Sequence, residues 1–240
     1  MCLHGFTGTP FELQPLADAL TTVGYRVGIP MLAGHGADVA ALEATTWVDW
    51  LRSAEEAFDN LASATPGRVA VLGFSMGGLL ALQLAKSRAS RVAALAVMAA
   101  PLSLGRAQVH GIRLLGKLPR PLRRGPLRSI PKLFGSSVGD PEARRRNPGL
   151  RSMPVLGLQS LLALMADTRG LLADITAPAM VIHGRRDGTV PFAASLELAD
   201  LLATTERLWL DHSRHLVAVD IERDLLARSI ERFLSEKGRW

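Results

Sequence analysis

Val69-Ala70-Val71-Leu72-Gly73-Phe74-Ser75-Met76-Gly77-Gly78-Leu79-Leu80 is the stretch that decides the fold. Its first half is a β-branched and apolar run, which is typical of a buried parallel strand. Its second half continues to about Ser87 with helix-forming residues and predicts a helix that is apolar on every side. The pattern Gly73-x-Ser75-x-Gly77 joins the two and predicts a tight turn that lifts the serine above the sheet. Glycine is expected at positions 73 and 77 because strand and helix nearly touch there and because glycine tolerates unusual backbone angles.

Length and composition indicate one globular domain. The chain has 240 residues, of which 48% are hydrophobic, and this fits one α/β domain with an insertion. Cys2 is the only cysteine, so an internal disulfide is excluded, as suits a reducing compartment. The sequence shows no signal peptide, and we expect no apolar run as long as a membrane span. These features predict a cytoplasmic protein.

The charge is unevenly distributed. The whole chain carries +6, whereas the segment from Ser103 to Arg151 has twelve Lys/Arg and two Asp/Glu and carries +10. The rest of the chain therefore carries −4. Leucines are interspersed among these basic residues, which predicts an amphiphilic cap. Its arginines form either a solvated surface or a surface that makes peripheral contact with anionic lipid or acidic substrates. Nucleic-acid binding is disfavoured because aromatic stacking platforms are absent from this segment.

Strand and helix patterns alternate along the chain and predict a parallel sheet covered by helices on both faces. The predicted fold is a three-layer α/β/α sandwich with about six strands, and the expected order in the sheet is second, first, third, fourth, fifth, sixth. A core of residues 1–101 and 169–240 would carry an inserted cap of residues 102–168. The candidate strands begin near residues 1, 25, 68, 91, 179 and 205.

The first turn comes unusually early. His4-Gly5-Phe6-Thr7-Gly8 begins almost at the first residue, whereas a buried strand normally needs about five or six residues before its turn. We therefore expect either that Met1 is an internal methionine of a longer reading frame or that the fold has lost its leading strands.

Three side chains with complementary chemistry follow predicted strands, at the edge where α/β proteins bind their ligands. They are Ser75, Asp187 and His215, in that order along the chain. A serine hydroxyl is a poor nucleophile until a base takes its proton, and imidazole can take that proton near neutral pH. A carboxylate on the other ring nitrogen fixes the tautomer. The backbone N–H groups of Phe6 and Met76 are placed to stabilise the charge that develops on a substrate oxygen.

Other residues compete for these roles. Asp211 is a rival acid, but Asp187 follows the strand before the histidine strand, as the chain order requires. His212 is a rival base, although it leaves the strand directly, whereas His215 stands farther along the loop and is freer to reach the serine. The remaining histidines are interpreted as structural or solvated: His4 in the first turn, His35 in the Gly34-His35-Gly36 loop, His183 as a satisfied core histidine, and His110 in the cap.

Five motifs together resemble the α/β-hydrolase superfamily, and the likeness is greatest to small bacterial carboxylesterases and monoacylglycerol lipases. They are His4-Gly5-Phe6-Thr7-Gly8, Gly34-His35-Gly36, Gly73-Phe74-Ser75-Met76-Gly77-Gly78, Gly184-Arg185-Arg186-Asp187 and Ser213-Arg214-His215. The resemblance implies hydrolysis of short- to medium-chain carboxylic esters or monoacylglycerols, with no cofactor. It implies Ser75 as nucleophile, Asp187 as acid and His215 as base, with Phe6 and Met76 as oxyanion donors. Serine rather than aspartate at the turn distinguishes the chain from dehalogenases and epoxide hydrolases.

Three functions remain open at this point. A serine esterase or lipase-like hydrolase fits the residues directly. The same triad could serve acyl transfer to another acceptor, thioester hydrolysis or cofactor-free perhydrolysis. A non-catalytic small-molecule receptor on the same fold is disfavoured by the intact triad.

Overall fold

The computed structural model describes residues 1–119, 128–132, 138–202 and 205–238. Along these residues the strands are β1 Cys2–Leu3, β2 Val69–Phe74, β3 Val92–Met98, β4 Ser129–Pro131, β5 Ser152–Pro154, β6 Ala179–Gly184 and β7 Thr205–Leu210. The helices are α1 Gln14–Thr22, α2 Val39–Glu43, α3 Trp47–Ser63, α4 Met76–Ser87, α5 Arg106–Gly116, α6 Pro141–Arg146, α7 Val155–Leu171, α8 Phe192–Leu201 and α9 Arg223–Lys237. Short 3₁₀ turns cover Pro10–Leu13, Leu172–Asp174 and Val217–Val219.

Five strands form one parallel sheet in the order β1-β2-β3-β6-β7. Strands β2, β3 and β6 are buried along their whole length, as strands covered by helices on both faces must be. The predicted three-layer α/β/α architecture with its mainly parallel sheet is confirmed. Because all five strands run the same way, their carboxyl ends meet at one edge, and the loops that follow β2, β6 and β7 lie there together.

The strand expected near residue 25 is not formed. Residues 25–30 run beside β1, and the backbone N–H of Cys2 donates to the carbonyl of Gly28 at 2.8 Å. The segment therefore lies next to the first strand, as expected, but β1 has only two residues and offers too short a ladder for a regular partner. The sheet has five strands along the described residues instead of about six.

Side chains of the sheet point alternately to two hydrophobic cores. In β3, Leu95 and Val97 face one core, which also contains the buried faces of α3, α4 and α7. Ala94, Ala96 and Met98 face the other core, which is covered by α1 and α9. This period of two is the pattern of an extended chain, and it gives the sheet an apolar layer on each side.

The segment between β3 and β6 forms the cap. Helix α5 packs against α7, and β4 pairs with β5 as an antiparallel ribbon. The predicted boundaries of this cap, residues 102–168, stay a prediction. Several residues that the sequence places in its amphiphilic part lie outside the described residues, namely Arg120, Pro121, Arg123, Arg124, Pro126, Leu127, Leu133 and Phe134.

Helix α7 and the turn after it are unusually apolar. Within the described part of the chain, Val155–Asp174 is the one stretch long and apolar enough for a membrane span by length and composition. The expectation that no apolar run reaches that length is therefore wrong for this stretch. Of its most apolar part, 44% is buried inside the protein. Leu161 and Leu164 pack into the hydrophobic core. A core helix of a soluble protein meets the same criterion.

Candidate active site

The turn between β2 and α4 holds Ser75 in a strained backbone conformation. Its φ is 53° and its ψ is −118°, a combination that residues with a side chain rarely adopt. Its backbone N–H donates to the carbonyl of Met98 on β3 at 2.8 Å, which anchors the turn to the sheet. A Cβ atom at Gly73 would lie 2.1 Å from the carbonyl oxygen of Gly77, and one at Gly77 would lie 2.1 Å from that of Leu3. Both glycines are therefore required by close backbone approach.

Three predicted residues meet above this turn. The Oγ atom of Ser75 lies 3.2 Å from Nε2 of His215, and Nδ1 of His215 lies 2.7 Å from Oδ2 of Asp187. Both distances are within the reach that proton transfer and tautomer control require. Ser75 stands at the end of β2, Asp187 in the loop after β6, and His215 in the loop after β7. The structure thus brings the candidate nucleophile, base and acid into one hydrogen-bonded line.

Asp187 is held from both of its oxygens. Oδ1 accepts from the backbone N–H groups of Thr189 at 2.7 Å and Val190 at 3.0 Å, and Oδ2 lies against His215 and His183. Burial by itself raises the pKa of this carboxyl, but the neighbouring His215 and the hydrogen bonds outweigh burial, so its pKa lies well below the ordinary value. Asp187 is therefore ionised wherever His215 is able to act as a base.

The loop that carries His215 is fixed by two carboxylates. Oδ2 of Asp220 accepts from the backbone N–H of Arg214 at 2.7 Å, and its Oδ1 accepts from Gly139 and Asp140 at the foot of the cap, at 2.8 and 2.9 Å. Glu222 accepts from the backbone and the hydroxyl of Ser213. Sequence reasoning missed both carboxylates, because a side chain that binds backbone N–H groups leaves no pattern of its own.

The rival residues lie away from the serine. Asp211 pairs with Arg185 at 2.8 Å, and its side chain is 70% exposed. Nδ1 of His212 contacts Arg186 at 3.2 Å on the exposed side of the loop. His110 is exposed on α5. The geometry therefore favours Asp187 and His215 over these alternatives.

The turn that contains Phe6 lines the same cavity as Ser75. The N–H of Gly8 donates to the carbonyl of Gly5 at 3.1 Å, and Thr7 has a φ of 64°. Along the described residues the N–H of Phe6 donates to no backbone carbonyl. Met76 is the first residue of α4, so its N–H has no carbonyl one turn earlier within the helix. Among the described residues, no backbone carbonyl is thus shown as an acceptor for either predicted oxyanion donor.

His4 and His35 support this turn as neutral rings. Nε2 of His4 accepts from the N–H of Leu32 at 3.1 Å, and its Nδ1 donates to the carbonyl of Gly5 at 3.0 Å. Burial, with a smaller effect of His35, lowers the pKa of His4 to about 3. Burial likewise lowers the pKa of His35 to about 4, and the two rings are 4.9 Å apart. Both ring nitrogens of His4 contact the backbone, as its structural interpretation expects. For His35 the interpretation is only half correct, because Nδ1 contacts the carbonyl of Ala33 at 2.9 Å but Nε2 has no hydrogen-bond partner among the described residues.

Glu12 is a functional candidate that the sequence did not single out. It is 6% exposed, and its Oε2 accepts from the backbone N–H of Gly5 at 2.9 Å, next to the candidate oxyanion donor Phe6. Burial raises the pKa of Glu12, although Gly5, Lys132 and His215 act in the opposite direction. Gly8 leaves the space for this carboxylate, because a Cβ there would lie 2.1 Å from Oε2.

His183 was predicted to be a satisfied core histidine, and this is only half correct. The ring is fully buried, but its Nδ1 has no hydrogen-bond partner among the described residues. Its Nε2 lies 3.1 Å from Oδ2 of Asp187. The sequence could have indicated this contact, since His183 is the last residue but one of a strand whose following loop holds the candidate acid.

Ser75 and His215 open onto a cavity of about 690 Å³, a size typical of small-molecule sites. The cap covers it with apolar side chains, and polar groups from Glu12 and Lys132 line it as well. Burial lowers the pKa of Lys132, while the charge of Glu12 raises it. The apolar lining comes mainly from Leu104, Ile112, Leu115, Met153, Leu158 and Leu161.

Comparisons with known proteins agree over nearly the whole chain. The family model described as "Serine aminopeptidase, S33" matches residues 1–222. The sequence is 31% identical over 241 residues to a thermostable monoacylglycerol lipase of Bacillus sp. (strain H-257), and the match covers 99% of this chain and 91% of that protein. It is 26% identical over 242 residues to a carboxylesterase of Bacillus subtilis (strain 168), with 100% and 93% covered.

Among solved structures, one reported under LipS and LipT, two metagenome-derived lipolytic enzymes, has a TM-score of 0.87 to this chain. It is 25% identical in sequence, and the match covers 98% of this chain and 92% of that one. The cap and the core are therefore both matched in that structure.

Proposed function

Because the chain belongs to the serine aminopeptidase S33 family of α/β-hydrolases, we propose that Ser75, His215 and Asp187 are its catalytic triad. The chain is an ester hydrolase of the carboxylesterase and lipase type. The observation that carries the proposal is the continuous line of contacts at 3.2 and 2.7 Å from Ser75 through His215 to Asp187. Because Asp187 accepts from Nδ1–H, the lone pair of His215 lies on Nε2 and faces the serine hydroxyl.

In the first step, Oγ of Ser75 forms a bond to the ester carbonyl carbon while its proton moves to Nε2 of His215. The carbonyl π electrons move to oxygen, and the N–H groups of Phe6 and Met76 stabilise that charge. When the tetrahedral intermediate collapses, the bond to the alkoxy oxygen breaks and the leaving alcohol takes the proton from His215. An acyl-enzyme remains on Ser75. Water then attacks it by the same proton transfers and releases the acid.

The proposed substrates are short- to medium-chain acyl esters or monoacylglycerols. The cavity is large enough for a medium chain, and its apolar lining from the cap would bury methylene groups. Two relatives are named monoacylglycerol lipase and carboxylesterase, and this supports the same substrate class here. The chain-length preference follows from how deeply α5 and α7 allow the acyl chain to enter.

The test is turnover of a p-nitrophenyl ester series from acetate to palmitate. We expect Ser75→Ala to reduce kcat by about 10⁴-fold or more at unchanged folding, because the nucleophile is lost. Ser87→Ala removes an exposed hydroxyl at the other end of α4 and serves as the matched control with unchanged turnover. Ester turnover by Ser75→Ala at the wild-type rate would refute the triad. A product assay with added alcohols or thiols distinguishes hydrolysis from acyl transfer.

A further inference from the structure

His183 occupies a position in β6 where an apolar residue would be expected. The strand is buried throughout, and the imidazole is fully enclosed. Its Nδ1 has no hydrogen-bond partner among the described residues. A buried polar atom without a partner opposes folding, and a Val or Leu at this place would avoid that cost. His183 is therefore less favourable for core stability than an apolar residue would be. This directs attention to the contacts of its other ring nitrogen, Nε2.

The other nitrogen has a defined protonation state. Nε2 lies 3.1 Å from Oδ2 of Asp187 and 3.2 Å from the carbonyl oxygen of Val190. A carbonyl oxygen can only accept, and an ionised carboxylate can only accept as well. Nε2 must therefore carry the proton, and this single N–H is shared between the carbonyl of Val190 and the candidate catalytic acid.

His183 and His215 share one oxygen. Oδ2 of Asp187 accepts from Nδ1 of His215 at 2.7 Å, and it lies 3.1 Å from Nε2 of His183, whose N–H it shares with the carbonyl of Val190. Every donor on a carboxylate stabilises its charge and reduces the negative potential left for the next donor. The bond from His183 therefore fixes the carboxylate in place and at the same time moderates its pull on His215.

We propose, resting on the triad proposed above, that His183 is a positioning residue that holds Asp187 and limits how strongly Asp187 stabilises protonated His215. A base that is too strong keeps its proton and cannot return it to the leaving alcohol. A base matched to the working pH does both steps.

Other charged and aromatic groups surround the pair, and among them Arg186 and Arg214 line the cavity beside His215. Phe192 of α8 packs its ring on His183 at 5.8 Å, and Arg185 lies over Phe192 while pairing with the exposed Asp211. On the pocket side, Glu12 is the other carboxylate that acts on His215, and Lys132 of the cap acts on Glu12. Phe74 covers the His215 ring at 4.9 Å. Along the described residues, His183 is the one histidine besides His215 that contacts Asp187.

The first experiment compares His183→Leu, which removes the donor, with His183→Gln, whose side-chain amide can still donate. The readout is the pH profile of kcat/KM for one p-nitrophenyl ester, normalised to active sites counted with an irreversible serine reagent. In His183→Leu we expect the acidic limb, which reports the base, to move up by about half a pH unit, because Oδ2 of Asp187 then accepts from His215 alone. We also expect kcat to fall about tenfold with KM within twofold. His183→Gln should retain the wild-type limb.

A purely structural His183 would lower the active fraction or the melting temperature without moving the acidic limb. An unmoved limb in His183→Leu at full active fraction would overturn the proposal, and so would a Gln variant no closer to wild type than the Leu variant.

If His183→Leu does not fold, the wild-type protein provides the test by ¹⁵N-edited NMR of its histidine rings. We expect His183 in the Nε2–H form and its ring signals to shift when His215 titrates. An Nδ1–H tautomer for His183 would refute the proposal. This readout needs no ester turnover, so it separates a failure of the His183 inference from a failure of the proposed triad.

Discussion

The buried rings of His4 and His35 predict that the protein loses stability in mild acid. Substitution of His35 alone measures its share of this loss. The pKa of His35 falls from 6.5 to about 4 in the folded protein because the ring is buried. The unfolded chain therefore binds a proton before the folded chain does. Stability is fully present above the unfolded pKa and is lost as the pH falls from about 6.5 towards 4.

The size of this loss follows from the separation of the two pKa values. Each unit of separation corresponds to about 1.4 kcal/mol, so between pH 7 and pH 5 His35 alone lowers the free energy of unfolding by about 2 kcal/mol. In His35→Gln this group no longer titrates, while the side-chain amide can still donate to the carbonyl of Ala33, which His35 contacts at 2.9 Å. The variant therefore loses about 2 kcal/mol less than wild type over the same interval.

Urea unfolding at pH 7, 6 and 5, followed by tryptophan fluorescence, measures this difference. Other groups that titrate in the same range are common to both proteins, so only the difference between the two curves is used. His4, whose pKa His35 influences, has a pKa of about 3 and lies below this range. His110→Gln removes an exposed histidine and controls for the loss of any imidazole. Parallel curves for wild type and His35→Gln would refute the assignment of His35 as a neutral buried ring.

Three further predictions test other parts of the structure. Gly77→Ala should destabilise the fold by about 3 kcal/mol in urea unfolding, since its Cβ would lie 2.1 Å from a strand carbonyl oxygen, whereas Gly111→Ala, with no atom within 4 Å, should be neutral or stabilising. The melting temperature of Glu12→Gln, measured relative to that of wild type, should increase as the pH rises above the ordinary glutamate pKa. Burial raises the pKa of Glu12, so the charged form of the wild-type side chain opposes folding in that pH range. Asp220→Asn should lower kcat about tenfold with less effect on KM, because one of its acceptor oxygens is lost, while Asp224→Asn on exposed α9 should match wild type in the same assay.

The central part of the fold was predictable because its signals are local. The stretch around Ser75 combines a strand, two required glycines and a helix, and the structure forms all of them where predicted. The strand expected near residue 25 failed for a non-local reason. A strand near residue 25 would have to pair with β1, which has only two residues. The residues near position 25 give no indication of how long β1 is.

The residues that support the site were harder to predict than those proposed to react. Glu12, His183 and Asp220 each act through backbone N–H groups or through another side chain, and such contacts cross from one element to another. Their sequence surroundings are ordinary, whereas a nucleophile at a strained turn requires glycines on both sides. Sequence motifs thus indicate where the site constrains the backbone. They do not indicate the side-chain contacts that support the residues proposed to react.

Three buried carboxylates lie close to the loop or the ring of His215, yet they differ in the charge they present to it. Asp187 is surrounded by donors and keeps its pKa low, so it faces the imidazole as an anion. The two oxygens of Asp220 accept from backbone N–H groups of the loop and the cap. Glu12 has few donors, and burial raises its pKa, so it takes up a proton more readily than Asp187 does. A single ionised partner on Nδ1 is what tautomer control requires, because a second permanent anion near Nε2 would hold the proton that the leaving alcohol needs.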